Sequence, residues 1–244
     1  MSAIDTQVAI QQLLADLQAA SFVAHRDAAA ALPAIQAFGD DIALEWLRAG
    51  QRLFQHDRDA GKPFMRESPA AAQAAGEVVW WTRTAVRFTQ WRGSWKAVEG
   101  FMQQLPPAIA LLGDFGAKRW AELGLAWCER HLDSGVAYFR TPVIALAGSA
   151  GVAGIEALLA PAEELFKRRV ALSTYLPGAV RVRDLLGVDA IDVWAKKGTD
   201  ILQAGRLRGE AYFRLESPES VALLLEQLPG FRLPEHQRLL YLLV

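Results

Sequence analysis

The chain has 244 residues, of which 52% are hydrophobic and 22% charged, so it can bury a sizeable core and is not disordered. Its 26 basic and 27 acidic residues leave a formal charge of −1, which gives no global basic excess for holding nucleic acid or anionic lipid. A single cysteine, Cys128, excludes an internal disulfide framework and a cysteine-cluster zinc site.

Targeting and membrane signals are weak throughout the sequence. The first residues, Met1 to Asp5, lack the positive charge and apolar core of a secretory signal. No window of about 18 apolar residues is free of charge, as a spanning helix would require. We therefore expect a soluble, cytoplasmic protein with no membrane span.

Helical signals follow one another along the chain. Residues 1–22 predict an N-terminal cap helix, and the break at Gly39 precedes a helix that carries Trp46 and ends near His56. A short second helix is expected to stop at Ser68-Pro69, and its counterparts to stop at Thr141-Pro142 and Ser217-Pro218. Further helices are predicted over Ala70–Gln90, Ser94–Leu112 and Ile155–Ser173. Strand signals are few, so the predicted fold class is all-α.

A repeat with a constant interval, the spacing from Trp46 to Trp120 and again to Trp194, is the strongest signal in the chain. We call this spacing the repeat interval. Its pattern is G-x6-W-x3-G-x10-G-x2-[FY]-[FM]-R, with one copy in each of three segments. The copies are Gly39, Trp46, Gly50, Gly61, Phe64, Met65 and Arg66; Gly113, Trp120, Gly124, Gly135, Tyr138, Phe139 and Arg140; and Gly187, Trp194, Gly198, Gly209, Tyr212, Phe213 and Arg214. These predict tandem helical repeats over 23–96, 97–170 and 171–244, forming one continuous solenoid-like array.

The repeated residues have structural interpretations. Trp46, Trp120 and Trp194 are expected to be buried, because large aromatics repeated in register usually seal contacts between helices. The glycine four residues after each tryptophan costs a helix roughly 1 kcal/mol relative to alanine, which indicates a close helix crossing. The repeated arginines, Arg66, Arg140 and Arg214, are expected to bind helix-end carbonyls or a neighbouring acid.

Motifs for catalysis, cofactors or metals are incomplete. Gly148 to Gly154 is glycine-rich, but Ile155-Glu156 follows where a Walker loop requires Lys and Ser/Thr, so we interpret it as an inter-helix turn. The Gly-x-Ser-x-Gly elbow of hydrolases and the Glu-x-x-His signature of helical di-iron sites do not occur. His56 and His131 stand beside acids at helix ends, where surface helix-end chemistry is the simpler interpretation. We predict no catalytic residue, cofactor or metal.

The segment from Trp80 to Lys96 interleaves aromatic and basic residues. Trp80, Thr84, Phe88, Trp91 and Trp95 fall on one stripe if the helix is continuous. This pattern fits a core stripe edged by arginine stems, a stacking surface for bases or lipid headgroups, or a protein-binding surface. The second segment has no tryptophans at the matching positions, so the feature is not needed to build the repeat. The candidate partner-binding residues are Arg83, Arg87, Trp91, Arg92, Trp95 and Lys96; these four cations against one acid, Glu77, would favour an acidic partner.

Three steps of the sequence resemble a known family. Trp120-Ala121-Glu122-Leu123-Gly124, Ala137 to Pro142, and Ala211 to Pro218 are similar to the N-terminal helical repeats of NorD/CbbO-type von Willebrand factor A proteins, which partner MoxR-family AAA+ ATPases. The resemblance covers about Leu32 to Leu224. The family's metal-ion adhesion motif, Asp-x-Ser-x-Ser, is missing from this chain, so that role does not carry over. The resemblance implies an adaptor or substrate-recognition module.

Two functional hypotheses follow. The first is a non-catalytic helical-repeat adaptor that binds a protein, either a MoxR-type ATPase or its client. The second is a binder of an apolar ligand, a lipid or a hydrophobic granule surface, which the eight tryptophans and the many alanines motivate. An enzyme ranks third, and nucleic acid is not expected as a partner.

Overall fold

A computed structural model describes residues 3–215, and within that range it contains helices and no strand. The all-α prediction is confirmed. The helices are α1 (Ala3–Ala20), α2 (Phe22–Gln36), α3 (Asp40–His56), α4 (Arg58–Ala75), α5 (Val78–Val86), α6 (Trp95–Arg130), α7 (Leu132–Arg140), α8 (Val143–Ala147), α9 (Val152–Lys167), α10 (Leu172–Leu186), α11 (Ala190–Ala204) and α12 (Arg206–Arg214). Short 3-10 helices cover Arg87–Gln90 and Gly148–Ala150.

The chain divides into two compact units, one up to Ile144 and one from Ala145. In the first unit α4 packs against α2, α3 and α6, while α6 packs against α7. In the second unit α11 packs against α9, α10 and α12. The boundary between the units falls within the second predicted repeat, 97–170.

A glycine in a backbone conformation reserved for glycine precedes each tryptophan helix. Gly39, Gly113 and Gly187 have φ of 121°, 66° and 89°, with ψ of 148°, 176° and 168°. A side chain would be strained at these angles. Gly113 interrupts α6, so this long element consists of two helices that meet at the predicted break.

A helical hairpin recurs after each of these glycines. The tryptophan helix ends at an extended residue, Asp57, His131 or Gly205, whose ψ is 120°, 120° and 121°. A second helix then begins at the next residue, which gives the pairs α3–α4, the C-terminal half of α6 with α7, and α11–α12. Successive turns are separated by the repeat interval, as the sequence pattern requires.

Two predicted helix ends are wrong in the first segment. The second helix does not stop at Ser68-Pro69 but continues as α4 to Ala75, where Gly76 caps it with φ of 63°. Ala71 and Ala72 are buried, and the packing of this extra turn outweighs the helix-breaking tendency of Pro69. The predicted helix over Ala70–Gln90 is therefore broken at Gly76 and again where α5 gives way to a 3-10 helix.

The remaining helix ends agree in part. The second helix of the second segment stops at Arg140, as predicted, and Ser217-Pro218 lies outside the described residues. The helix predicted over Ile155–Ser173 is instead two helices, α9 and α10, because Arg169 adopts a left-handed conformation with φ of 66° after α9. The predicted turn at Gly148 to Gly154 is shorter than expected, since α9 already begins at Val152.

Candidate functional site

Each recurring hairpin is built around a buried indole that stacks on an aromatic ring of the following helix. Trp46 lies 6.4 Å from Phe64 with an interplanar angle of 28°, and Trp120 lies 6.4 Å from Tyr138 at 26°. Trp194 lies 6.1 Å from Tyr212, also at 26°. All three indoles have 0% of their surface exposed, so the predicted burial is confirmed. These residues hold helices together and are not available to a ligand.

The glycines four residues after the tryptophans lie at close helix crossings, as predicted. A Cβ added at Gly50 would lie 2.7 Å from Met65 Cε. At Gly124 and Gly198 it would overlap the rings of Phe139 and Phe213. Since real Cβ contacts essentially never fall below 3.0 Å, a side chain at any of these positions would force its neighbours to shift, and only at Gly50 is the nearest neighbour the flexible end of a side chain.

Two of the three repeated arginines contact one shared acid. Arg66 Nη2 lies 3.4 Å from Glu99 Oε1, and Arg140 Nη2 lies 3.3 Å from Glu99 Oε2. Arg66 also donates a hydrogen bond to Glu67, which raises the pKa of this arginine. An acid is one of the two partner types expected from the sequence. Arg214 is exposed on α12.

The glycine-rich turn is occupied by a side chain of the protein itself. Arg183, 9% exposed, donates hydrogen bonds of 2.6 Å to the carbonyls of Leu146 and Ala145. Its guanidinium lies so close to Gly148 that an added Cβ would be 2.8 Å from Arg183 Cζ. An internal cation therefore joins the end of α8 to α10 at this turn.

The histidine positions have local contacts. His56 Nε2 lies 2.9 Å from the carbonyl oxygen of Trp91, which joins the end of α3 to the turn before α6. His131 occupies the extended N-cap position of α7. Over residues 3–215, no group of three or more His, Cys, Asp or Glu side chains is placed to hold a metal ion.

The segment from Trp80 to Lys96 does not form the continuous helix that a single aromatic stripe requires. α5 ends at Val86, a 3-10 helix follows, and the chain turns before α6 begins at Trp95. Thr84 and Phe88 are buried, whereas Trp80, Trp91 and Trp95 are half-buried. The condition for a single stripe is therefore not met, and this segment contributes to both the core and the surface.

The charge balance predicted for this segment is wrong, because acids from other helices face it. Arg83 Nε lies 2.7 Å from Glu45 Oε1, and Arg87 Nη1 lies 2.6 Å from Glu122 Oε1. Glu77, the acid counted from the sequence, pairs with Lys118 at 2.6 Å. Two of the four cations are therefore largely neutralised within the protein.

The other two cations lie beside partly exposed tryptophans at the start of α6. Lys96 Nζ lies 5.4 Å from the ring centre of Trp95. Arg92 is exposed on the turn next to Trp91, and within residues 3–215 it has no ion pair. We call Trp91, Arg92, Trp95 and Lys96 the turn patch. It joins two half-buried indoles to an arginine and a lysine, and tryptophan and arginine are residue types that anchor protein interfaces.

A groove between α3 and α5 was missed by the sequence analysis. It has a volume of about 520 Å³, and its lining includes Arg48 and Arg52 on α3 and Thr82 and Arg83 on α5. The only local signal was the pair of arginines four residues apart, which a helix places on one face. Nothing in the sequence indicates that residues of a later helix form the opposite wall.

Comparison with known proteins gives no relative: no family model, no curated protein and no solved structure matches this chain. Among the described helices, none is by itself both long and apolar enough to cross a membrane.

Proposed function

We propose that this chain is a non-catalytic helical adaptor that recognises a protein partner through the turn patch. The observation that carries the proposal is the grouping of half-buried Trp91 and Trp95 with exposed Arg92 and Lys96 around the start of α6, where Lys96 lies over the ring of Trp95. Half-buried indoles offer apolar area at a small cost in side-chain entropy, and the cations favour a partner with acidic residues.

The adaptor is proposed to be an array of three helical repeats over 23–96, 97–170 and 171–244, preceded by a cap helix over 1–22. The recurrence of the glycine joint, the stacked tryptophan and the tight glycine crossing at the repeat interval supports this proposal. An experimental structure of the whole chain tests it. The three segments should superimpose on one another, and a third segment with a different helix order would contradict the array.

The proposed partner is a MoxR-type AAA+ ATPase or the client that it remodels, in the cytoplasm. This part rests on the resemblance of the Trp120–Gly124 and Ala137–Pro142 steps to NorD/CbbO-type repeats. An adaptor needs no catalytic group of its own, which agrees with the internal use of Arg183 at the glycine-rich turn.

The test measures binding of this chain to the purified MoxR-type ATPase and to its client, both encoded in the same genome as the chain. We expect saturable binding that Arg92→Glu/Lys96→Glu weakens at least about tenfold, because reversal turns attraction into repulsion at the rim of an interface. The matched control is Arg26→Glu/Lys196→Glu, which changes net charge equally on α2 and α11. Equal loss in the control would show a general charge effect, and no binding by the unmodified protein would overturn the proposal.

The alternative of an apolar-ligand or granule-surface binder has less support. It was motivated by the number of tryptophans, but Trp46, Trp81, Trp120, Trp127 and Trp194 all belong to the core. Trp46, Trp81, Trp120 and Trp194 pack against other aromatic rings and Trp127 lies against Arg130, which accounts for them without a ligand.

A further inference from the structure

The groove between α3 and α5 has the dimensions of a binding site. Its lining on α3 runs from Asp41 to Arg52, which is roughly 16 Å along a helix that rises 1.5 Å per residue. Val86 is half-buried and adds apolar surface to the same groove, whereas Leu44 and Ala49 line it with only 3% and 5% of their surface exposed. Its volume of about 520 Å³ lies within the range of known ligand sites.

The charges of the groove are arranged unevenly along its length. Arg48 and Arg52 are exposed, and within residues 3–215 neither of them forms an ion pair or a hydrogen bond. Arg83, on the opposite wall, is engaged by Glu45. Asp41 stands at the other end and accepts a hydrogen bond from Thr6 at 3.1 Å. Two uncompensated guanidinium groups therefore lie side by side at one end of the groove.

A hydroxyl without a partner lies in the same wall. Thr82 is 1% exposed and lines the groove, and its Oγ1 has no hydrogen-bond partner among the described residues. Thr84, two residues later on α5, satisfies its hydroxyl by donating to the carbonyl of Trp80 at 3.0 Å. A buried unpaired hydroxyl destabilises a fold, but Oγ1 itself is inaccessible, so other atoms of Thr82 form the groove wall.

The groove cations are not part of the repeated architecture. One repeat interval after Arg48 and Arg52 the chain has Glu122 and Ala126, and one interval after Arg83 it has Ala157. Two intervals after Arg48 the chain has Lys196, but Arg52 and Arg83 have no basic counterpart in either later segment. The combination of the three arginines is therefore particular to the first segment, and the recurring hairpin does not require it.

We propose that this groove docks an acidic segment of the protein partner, with one or two of its carboxylates on Arg48 and Arg52 and an apolar side chain on Val86. The proposal rests on the proposed adaptor function and names a second part of its recognition surface. The pairing of arginine with carboxylate is geometrically specific, because the planar guanidinium can donate two parallel hydrogen bonds. The apolar floor distinguishes such a segment from a bare inorganic anion.

The experiment is a titration of the full-length, ¹⁵N-labelled protein, followed by amide chemical shifts. The probe is the peptide acetyl-LEELLEELLEEL-amide, and its counterpart with every Glu replaced by Gln is the neutral control. We expect saturable shifts in residues 41–52 and 82–86 with the acidic peptide. Arg48→Glu/Arg52→Glu should weaken this binding at least about tenfold, while Arg26→Glu/Lys196→Glu should leave it unchanged.

Other outcomes overturn the proposal in different ways. Shifts confined to other residues, or equal binding of the neutral peptide, would refute acidic-segment docking in the groove. Saturation of the groove by citrate or inorganic phosphate without peptide binding would identify a small-anion site instead. If the ATPase or client is captured equally by the Arg48→Glu/Arg52→Glu variant, the groove proposal fails while the adaptor function stands.

Discussion

The indole N–H of Trp46 donates a 2.8 Å hydrogen bond to Ser68 Oγ, and the same hydroxyl donates to the carbonyl of Phe64. Both side chains are fully buried. The bond joins α3 to the middle of α4, one residue before Pro69. One repeat interval after Ser68 the chain has Pro142, which carries no hydroxyl, so the second hairpin lacks this contact.

Replacing Ser68 with alanine should therefore destabilise the protein. The change leaves the buried N–H of Trp46 without its acceptor, which costs about 1–3 kcal/mol of unfolding free energy. Urea unfolding followed by circular dichroism measures this quantity. In the Trp46→Phe background the same serine change should cost much less, since no indole N–H remains. Equal costs in the two backgrounds would show that the hydrogen bond is not the cause.

Alanine substitutions at the crossing glycines should differ in their effect on the unfolding free energy, because the side chains next to each glycine differ in flexibility. At Gly50 the new Cβ meets the end of the Met65 side chain, which can move aside. At Gly124 it meets the rings of Phe139 and Tyr138 inside the aromatic cluster, so Gly124→Ala should cost about 1–3 kcal/mol through overpacking. Gly50→Ala should be close to neutral, because alanine gains roughly 1 kcal/mol of helix propensity. A Gly124→Ala protein at least as stable as Gly50→Ala would contradict this ranking.

Alkaline pH should destabilise the fold partly through Cys128. Burial raises the pKa of this thiol to about 12, whereas an unfolded cysteine ionises near pH 8.5–9. The unfolded state thus loses protons first, so the stabilising contribution is complete below about pH 8.5 and is lost as pH rises toward 12. At pH 10 the loss should be about 1–2 kcal/mol.

The Cys128→Ala variant is the control for the alkaline effect. Its unfolding free energy should fall less steeply between pH 8.5 and 10 than that of the unmodified protein. Above pH 10 both proteins should lose stability, because burial also raises the pKa values of Tyr138, Tyr175 and Tyr212. If the unfolding free energies of the two proteins fell in parallel from pH 8.5, the thiol would be excluded as the cause of the alkaline destabilisation.

The sequence predicted those parts of the fold that depend on neighbours within one hairpin. The glycine joints, the buried tryptophans and the tight crossings all follow from residues close together in the chain, whose types leave few alternatives. The end of α4 was predicted wrongly, because burial of Ala71 and Ala72 depends on packing between helices, which propensity does not contain. Packing between helices thus outweighs the helix-ending signal of Ser68-Pro69.

The candidate sites were harder to predict, since they depend on pairing across the fold. The sequence indicated that Arg83 is free to bind a partner. In the fold it pairs with Glu45 on α3, which lies 38 positions earlier in the chain. Arg48 and Arg52 were not predicted as site residues, because two arginines on one face of a helix are common. Only the opposite wall of α5 makes them part of a groove.

Reversal of Arg83 and Arg87 should now have a smaller effect on partner capture than reversal of Arg92 and Lys96. Arg83→Glu/Arg87→Glu places like charges against Glu45 and Glu122, yet these pairs are exposed, so the unfolding free energy should change little. Titration calorimetry with the purified ATPase or client measures the effect on binding affinity. A greater loss of affinity here than in Arg92→Glu/Lys96→Glu would transfer the interface from the turn patch to α5.

Two threonines on α5 allow a matched test of the unpaired hydroxyl. Thr82→Val replaces a buried Oγ1 that has no partner in the described structure, so the unfolding free energy should stay constant or rise by up to about 1 kcal/mol. Thr84→Val removes the hydrogen bond to the Trp80 carbonyl, and it should lower the unfolding free energy by about 0.5–1.5 kcal/mol. Urea titrations of the two variants give the comparison directly.

Valine and threonine have nearly the same shape, so packing changes are similar in both variants. The difference between their unfolding free energies therefore measures the contribution of the hydroxyl. If Thr82→Val were the more destabilising change, its hydroxyl would have a partner in the folded protein, and the description of Thr82 Oγ1 as unpaired would be wrong.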